Sequence, residues 1–360
     1  MGENEFSTGI PGSAEREDPQ VSGGFPHGAT GDVSRETSIN EPQSMDVSRE
    51  TSVRTASEIA AETDGFDDAS TPLARAVAHQ LMVREKRNLG APVERPKRTR
   101  VMVVANQKGG VGKTTSTVNL AAGLAQLGQQ VLVIDLDPQG NASTALSIDH
   151  HRGTASTYDV LVDGMALDDV IQPSPETPGL FVVPATIDLA GAEIELVSVV
   201  AREGRLRKAL GEYSRVGEAE DRFDYVLIDC PPSLGLLTLN ALVAGEEMLI
   251  PIQAEYYALE GLGQLLETVE MVKAHLNQAL AVTTILITMY DARTRLAHGV
   301  AEEVRSHFGD LVLSAFIPRS VRVSEAPSYG QSVMTYDPGS PGAVSYLEAA
   351  REMARKAVTK

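Results

Sequence analysis

Residues 101–125 read VMVVANQKGGVGKTTSTVNLAAGLA, and the fold turns on them. The opening VMVVA is apolar and mostly β-branched, the pattern of a strand buried on both faces. KGGVGKTT follows at 108–115, and then an Ala- and Leu-rich run that predicts a helix over 113–127. Strand, glycine-rich loop and helix in that order make a phosphate cradle. Small residues let backbone N–H groups turn inward around phosphate oxygens, and the helix adds its positive N-terminus. Gly112, Lys113 and Thr114 supply the Gly-Lys-Thr of a Walker A loop. There Lys113 would neutralise the β- and γ-phosphates, and the Thr114 hydroxyl would coordinate Mg²⁺.

Working outward, short apolar runs continue to alternate with helical stretches. The strand candidates are VMVVA at 101–105, VLVID at 131–135, LFVVP at 180–184, YVLID at 225–229, MLIPI at 248–252, TTILITM at 283–289 and VLSAFI at 312–317. Helices are expected over 113–127, 188–198, 202–213, 233–244, 255–275 and 297–308. Such alternation predicts an α/β fold, a mostly parallel twisted sheet flanked by helices. Ligands of these sheets sit beyond the carboxyl ends of the strands.

The chain before this region is different. Residues 1–70 carry 15 Asp/Glu against 4 Lys/Arg, which is −11 of the formal −18 charge. With few large apolar residues they cannot bury enough surface to offset ordering entropy, so a disordered acidic tail is expected there. The low pI therefore describes mostly the tail and leaves room for a basic patch on the folded part. TPLARAVAHQLMVREKRN at 71–88 places Leu73, Val77 and Leu81 on one helical face behind a Thr71 cap. NLGAPVERPKRTR then reads as a basic linker, so three parts are expected: 1–70, 71–99 and 100–360. The single cysteine, Cys230, leaves no intrachain disulfide and fits a reducing compartment. The start has no basic-then-apolar leader, and no run approaches the roughly 18–20 apolar residues of a membrane helix. A soluble, cytoplasmic protein is expected.

Two further segments specify the chemistry. VLVIDLDPQGNAS at 131–143 ends a strand with Asp135 and Asp137, and DYVLIDCPPSLG at 224–235 ends one with Asp229. A carboxylate closing an apolar strand beside a phosphate loop is where a hard cation needs it. The second lysine, Lys108, gives the form K-G-G-x-G-K-[ST], which is similar to the deviant Walker A family of P-loop ATPases. MYDARTRLAHGVAEEV at 289–304 and IPRSVRVSEAPSYGQSV at 317–333 narrow this, and the chain over about 100–345 resembles ParA-type partition ATPases.

The resemblance implies the roles. Lys108, Gly109, Gly110, Val111, Gly112, Lys113, Thr114 and Thr115 would hold ATP, with Pro318 in the segment covering the adenine. Thr114 and Asp229 would hold Mg²⁺, Asp137 would orient the attacking water, and Lys108 would reach the nucleotide of a partner in an ATP-closed homodimer. Arg293, Arg295, Arg319 and Arg322 would bind DNA phosphates without reading bases. The implied partners are a ParB-type centromere-binding protein and nonspecific DNA, with no membrane, and the implied place is the nucleoid. MinD-like ATPases would carry a membrane-seeking terminal helix, whereas SYLEAAREMARKAVTK is too Ala-rich for firm insertion. A cargo-positioning ATPase without a centromere is the alternative.

DVSRETS occurs at 32–38 and again at 46–52. The centromere site of this family, TGTTTCACGTGAAACA, translates in one frame as Val-Ser-Arg-Glu-Thr, and a GAT codon for Asp supplies its leading T. Both copies can therefore encode the site, and their offset is close to four turns of duplex at ~10.5 bp each. A partner-binding peptide and a local duplication are the competing readings. Only the bases of the gene separate the three.

Overall fold

The computed structural model describes residues 91–218, 220–256 and 262–358. The acidic tail, the expected 71–88 helix and both DVSRETS copies lie outside the described residues. Strands β1 (Arg100–Val104), β2 (Val131–Asp135), β3 (Gln172–Pro173), β4 (Leu180–Val183), β5 (Tyr225–Asp229), β6 (Glu247–Gln253) and β7 (Ala281–Thr288) form one sheet. Their order is β3-β4-β2-β5-β1-β6-β7. Every pair is parallel except the short β3–β4 edge. The helices that position the site are α1 (Lys113–Gln126), α2 (Asn141–Ala145), α3 (Leu236–Ala244), α4 (Leu262–His275), α5 (Arg295–Phe308), α6 (Val321–Glu325) and α7 (Pro341–Val358).

Alternate strand residues serve opposite faces, as a period of two requires. Met102, Val104, Val133, Leu227 and Leu249 pack with α1 and α7, while Val103, Leu132, Ile134, Ile228 and Ile250 pack with α3 and α4. Both faces are covered, and that is why β2 and β5 are apolar runs buried along their whole length. The consequence for function is topological. α1 follows β1 on one face and α3 follows β5 on the other, so the carboxyl ends of these adjacent strands open a crevice between diverging chains.

α7 closes the first face by lying against α1 at a small residue. A Cβ on Gly123 would sit 3.0 Å from the Ala350 Cβ and 3.6 Å from the Tyr346 carbonyl oxygen. Gly123→Val is therefore expected to lower stability by about 1–3 kcal/mol through overpacking. Urea unfolding will read this as a lower midpoint at unchanged slope. A midpoint equal to that of the native chain would mean that the two helices can part without cost.

The structure departs from the sequence expectations at several points. VLSAFI is not a sheet strand. It touches β7 only through the Leu313 N–H to Ile285 O and Ile317 N–H to Ile287 O bonds. Four residues thus span what two span on β7, and the slack bulges out to the Glu352 carboxylate, which accepts the Ser314 N–H. The 188–198 and 202–213 helices are each broken, with 3₁₀ turns at Leu196–Ser198 and Arg202–Gly204. Helix 233–244 begins only at Leu236, and 255–275 is described as a helix from Leu262. Residues 91–99 are bonded to the domain. The Val93 N–H reaches Leu127 O, and Arg95 pairs with Asp224 at 2.7 Å.

Candidate active site

The loop after β1 takes its shape from two glycines and two anchors. Gly110 and Gly112 have φ of +74° and +87°, conformations that cost other residues strain. Buried Asn106 anchors the loop's start, donating to Pro251 O and accepting the Lys108 N–H. Thr288, closing β7, donates to Val111 O at 2.8 Å. Gly112 then caps α1, so the helix N-terminus begins at Lys113. The Lys113 side chain folds back with its ammonium 3.3 Å from Lys108 O. It is nearly buried, at 8% exposure. Burial lowers its pKa, against the opposing pull of Asp229 and Asp137.

Asp229 and Asp135 end adjacent strands nearby, and Asp137 lies two residues past β2. Asp229 is fully buried. Its Oδ1 accepts from the Thr117 hydroxyl at 2.9 Å, while its Oδ2 has no hydrogen-bond partner. Burial raises its pKa, and adjacent Asp135 raises it further. A buried carboxylate oxygen without a donor is costly unless something cationic completes it. The Thr114 hydroxyl on the facing helix turn adds a second hard oxygen, so the pair could hold a small divalent cation of the Mg²⁺ type. Asp137 is 8% exposed, one turn beyond β2, and its Oδ1 accepts the Gln139 N–H.

Asp135, paired in register with Asp229, is also fully buried, and burial raises its pKa. Sequence reading left it without a role, and it passed over Asn106, Thr117 and Thr288. Thr117 alone had a local signal, since i, i+4 spacing from Lys113 puts it on the same helix face. Cys230, next to Asp229 in the chain, is a free, buried cysteine.

The four arginines lie on two segments that the structure brings together, Arg293 and Arg319 on loops, Arg295 at the start of α5 and Arg322 in α6. Tyr290 N–H bonds Ile317 O, and Arg319 N–H bonds Tyr290 O. Arg293 forks onto Asp291 at 2.8–2.9 Å, Arg322 pairs with Glu325 and Asp337, and Arg319 lies 3.5 Å from Glu255. Arg295, opening α5, has no ion pair among the described residues. Glu255 also takes Lys108, at 3.6 Å. Pro318 is half-buried and bridges to Tyr290, at the same end of the sheet as the phosphate loop.

Fold, loop and strand-end acids together define a P-loop nucleotide-binding protein. A family model described as an AAA domain matches residues 99–282. The chain is 51% identical over 255 residues to the sporulation initiation inhibitor protein Soj of Bacillus subtilis, covering 71% of this chain and 98% of that protein. It is 49% identical over 261 residues to the chromosome partitioning protein ParA of Myxococcus xanthus, covering 72% and 90%. It belongs to the ParA/Soj family of chromosome-partitioning proteins. Among solved structures, a cobyrinic acid a,c-diamide synthase of Mycobacterium smegmatis with bound ADP and magnesium matches at 38% identity and TM-score 0.59, over 70% of this chain and 92% of that one. The cell division ATPase MinD of Pyrococcus furiosus matches at 26% and 0.58, over 71% and 99%.

Proposed function

We propose that this chain is a partition ATPase of the nucleoid. It binds ATP with Mg²⁺, dimerises on ATP, holds DNA without sequence preference, and lets go after hydrolysis stimulated by a ParB-type protein. The observation that carries this is the meeting of Lys113, Asp137 and the half-open Asp229 carboxylate at one crevice, with the arginine loops at the same end of the sheet.

In this reading the loop N–H groups and Lys113 hold the phosphates. Thr114 and Asp229 would hold Mg²⁺, which would offset charge on the β- and γ-phosphates. Asp137 accepts a hydrogen bond from the attacking water and aims it. Lys108 stands paired with Glu255, both side chains more than a third exposed. Exposed pairs contribute only about 0–1 kcal/mol, so Lys108 can leave Glu255 for a partner's phosphate at little cost. Glu255 and Glu325 are likewise more than a third exposed, so Arg319 and Arg322 can exchange them for DNA phosphates, whereas Arg293 must leave a two-pronged bond to Asp291. Among the described residues no helix is long and apolar enough to cross a membrane.

Binding to random-sequence duplex tests the proposal, with no nucleotide, ADP or ATP, at two salt concentrations. ATP-dependent binding is expected, falling about 10³–10⁵-fold between 50 and 200 mM salt if six to ten phosphates are contacted. Nucleotide binding without DNA affinity would defeat the nucleoid part and favour a cargo-positioning role.

A further inference from the structure

The segment running from β2 into α2 carries Asp137, and two of its residues, Asp137 and Ser143, are tied to one carboxylate. Asp135 Oδ1 accepts the Asp137 N–H at 3.1 Å. Asp135 Oδ2 accepts both the Ser143 N–H at 2.9 Å and the Ser143 hydroxyl at 2.8 Å. The Ser143 oxygen in turn accepts the Ala185 N–H at 3.1 Å, just past β4. Thr157 fixes the same residue from behind, its hydroxyl donating to Asp135 O at 2.8 Å. Asp135 and Ser143 are both fully buried.

Asp135 and Asp229 thus close adjacent strands in register but are used differently. A carboxylate offers about four lone-pair sites. Asp135 commits three of them to its own chain, whereas Asp229 meets only hydroxyls of α1 and keeps its Oδ2 without a hydrogen-bond partner. Asp229 is free for a cation, and Asp135 is not.

We infer that Asp135 and Ser143 are positioning residues, a clip that pins the chain on either side of residues 138–142 so that Asp137 is held where its carboxylate aims water. The inference rests on the proposed role of Asp137 and goes beyond it. The clip closes a turn that is itself bonded, with the Gly140 N–H on Asp137 O and the Thr144 N–H on Gly140 O. It also ties Asp137 to β4 through Ser143, so the aim of the water-orienting carboxylate depends on a strand that contributes no residue to the phosphate loop. Removing the Ser143 hydroxyl frees one Asp135 bond and orphans the Ala185 N–H. The segment would still bind nucleotide, but Asp137 would wander. Misplacement by about 1 Å costs on the order of 10²-fold in rate.

The test is ATP turnover by phosphate release in the full-length protein, with ATP affinity and melting temperature measured alongside. Ser143→Ala is expected to lower kcat at least tenfold with ATP affinity within twofold, and Ser143→Thr to restore it. In an Asp137→Ala background, Ser143→Ala should have no further effect, since groups acting as one unit are not additive. Three results would overturn the clip: an unchanged kcat in Ser143→Ala, a full additional loss in the Asp137→Ala background, or an Asp135→Asn chain whose turnover recovers at high Mg²⁺, which would place Asp135 on the metal. If Asp137→Ala itself hydrolyses ATP normally, the role proposed for Asp137 fails. That outcome is distinct from an inactive Asp137→Ala beside a normal Ser143→Ala, which sinks only the clip.

Discussion

Replacing Lys113 with alanine will lower ATP turnover by about 10²–10³-fold, or roughly 3–4 kcal/mol, the usual cost of losing one preorganised charge at a reacting centre. ATP-dependent binding to duplex DNA will be lost with it. Apo stability, however, will not fall. Lys113 is held almost out of water, and its pKa is lowered chiefly by that burial. A base whose folded pKa lies below its unfolded one costs stability in full below the folded value, where both states are charged, and the cost is relieved as pH rises through that value towards the ordinary lysine value. The native chain therefore carries a charge that the apo fold would be better without, with Lys108 O at 3.3 Å as its hydrogen-bond acceptor. Calorimetry should find the apo melting temperature of Lys113→Ala equal to or above that of the native chain, with the rise on adding ATP·Mg²⁺ gone. A large drop in the apo melting temperature would mean that the lysine is a structural strut, and the phosphate assignment would lose its support.

Asp229→Asn should separate metal from nucleotide. The substitution keeps the acceptor for Thr117, which now sits 2.9 Å from Oδ1. It removes the negative charge from the oxygen that has no partner. Nucleotide affinity in the presence of Mg²⁺ is expected to fall at least tenfold, since even outer-shell changes at metal sites cost 10–100-fold in metal affinity. Affinity measured in EDTA should hardly change. The apo chain should be no less stable, because burial and Asp135 already disfavour ionised Asp229. Equal losses with and without Mg²⁺ would show that Asp229 shapes the crevice without holding the ion.

What was legible in the sequence is what depends on neighbours along the chain. KGGVGKTT carries its own backbone instructions: Gly110 and Gly112 adopt positive φ, and Gly112 starts the helix that aims at the phosphates. VLVID and YVLID match their strands residue for residue because strands buried on both faces need unbroken apolar runs. VLSAFI has the same composition yet makes only two anchoring bonds to β7, since strand propensity reports a fit to a half-buried surface and not a pairing partner.

The amino-acid sequence by itself therefore determined the phosphate loop, the acids that end β2 and β5, and the alternation that yields a parallel sheet. Tertiary structure alone decided what surrounds each acid. Asp135 and Asp229 read alike, each closing an apolar strand. They differ because β5 is inserted between β2 and β1, which sets Asp229 beside Lys113 and Thr117 of α1 and leaves Asp135 to Ser143 and, through it, to β4. The pairing of the 289–304 and 317–333 loops through Tyr290, and the sharing of Glu255 by Lys108 and Arg319, arise in the same way. A short motif can specify backbone shape and chemical type. Which distant group satisfies a buried donor or acceptor is set by strand order, and strand order is a property of the whole packed sheet.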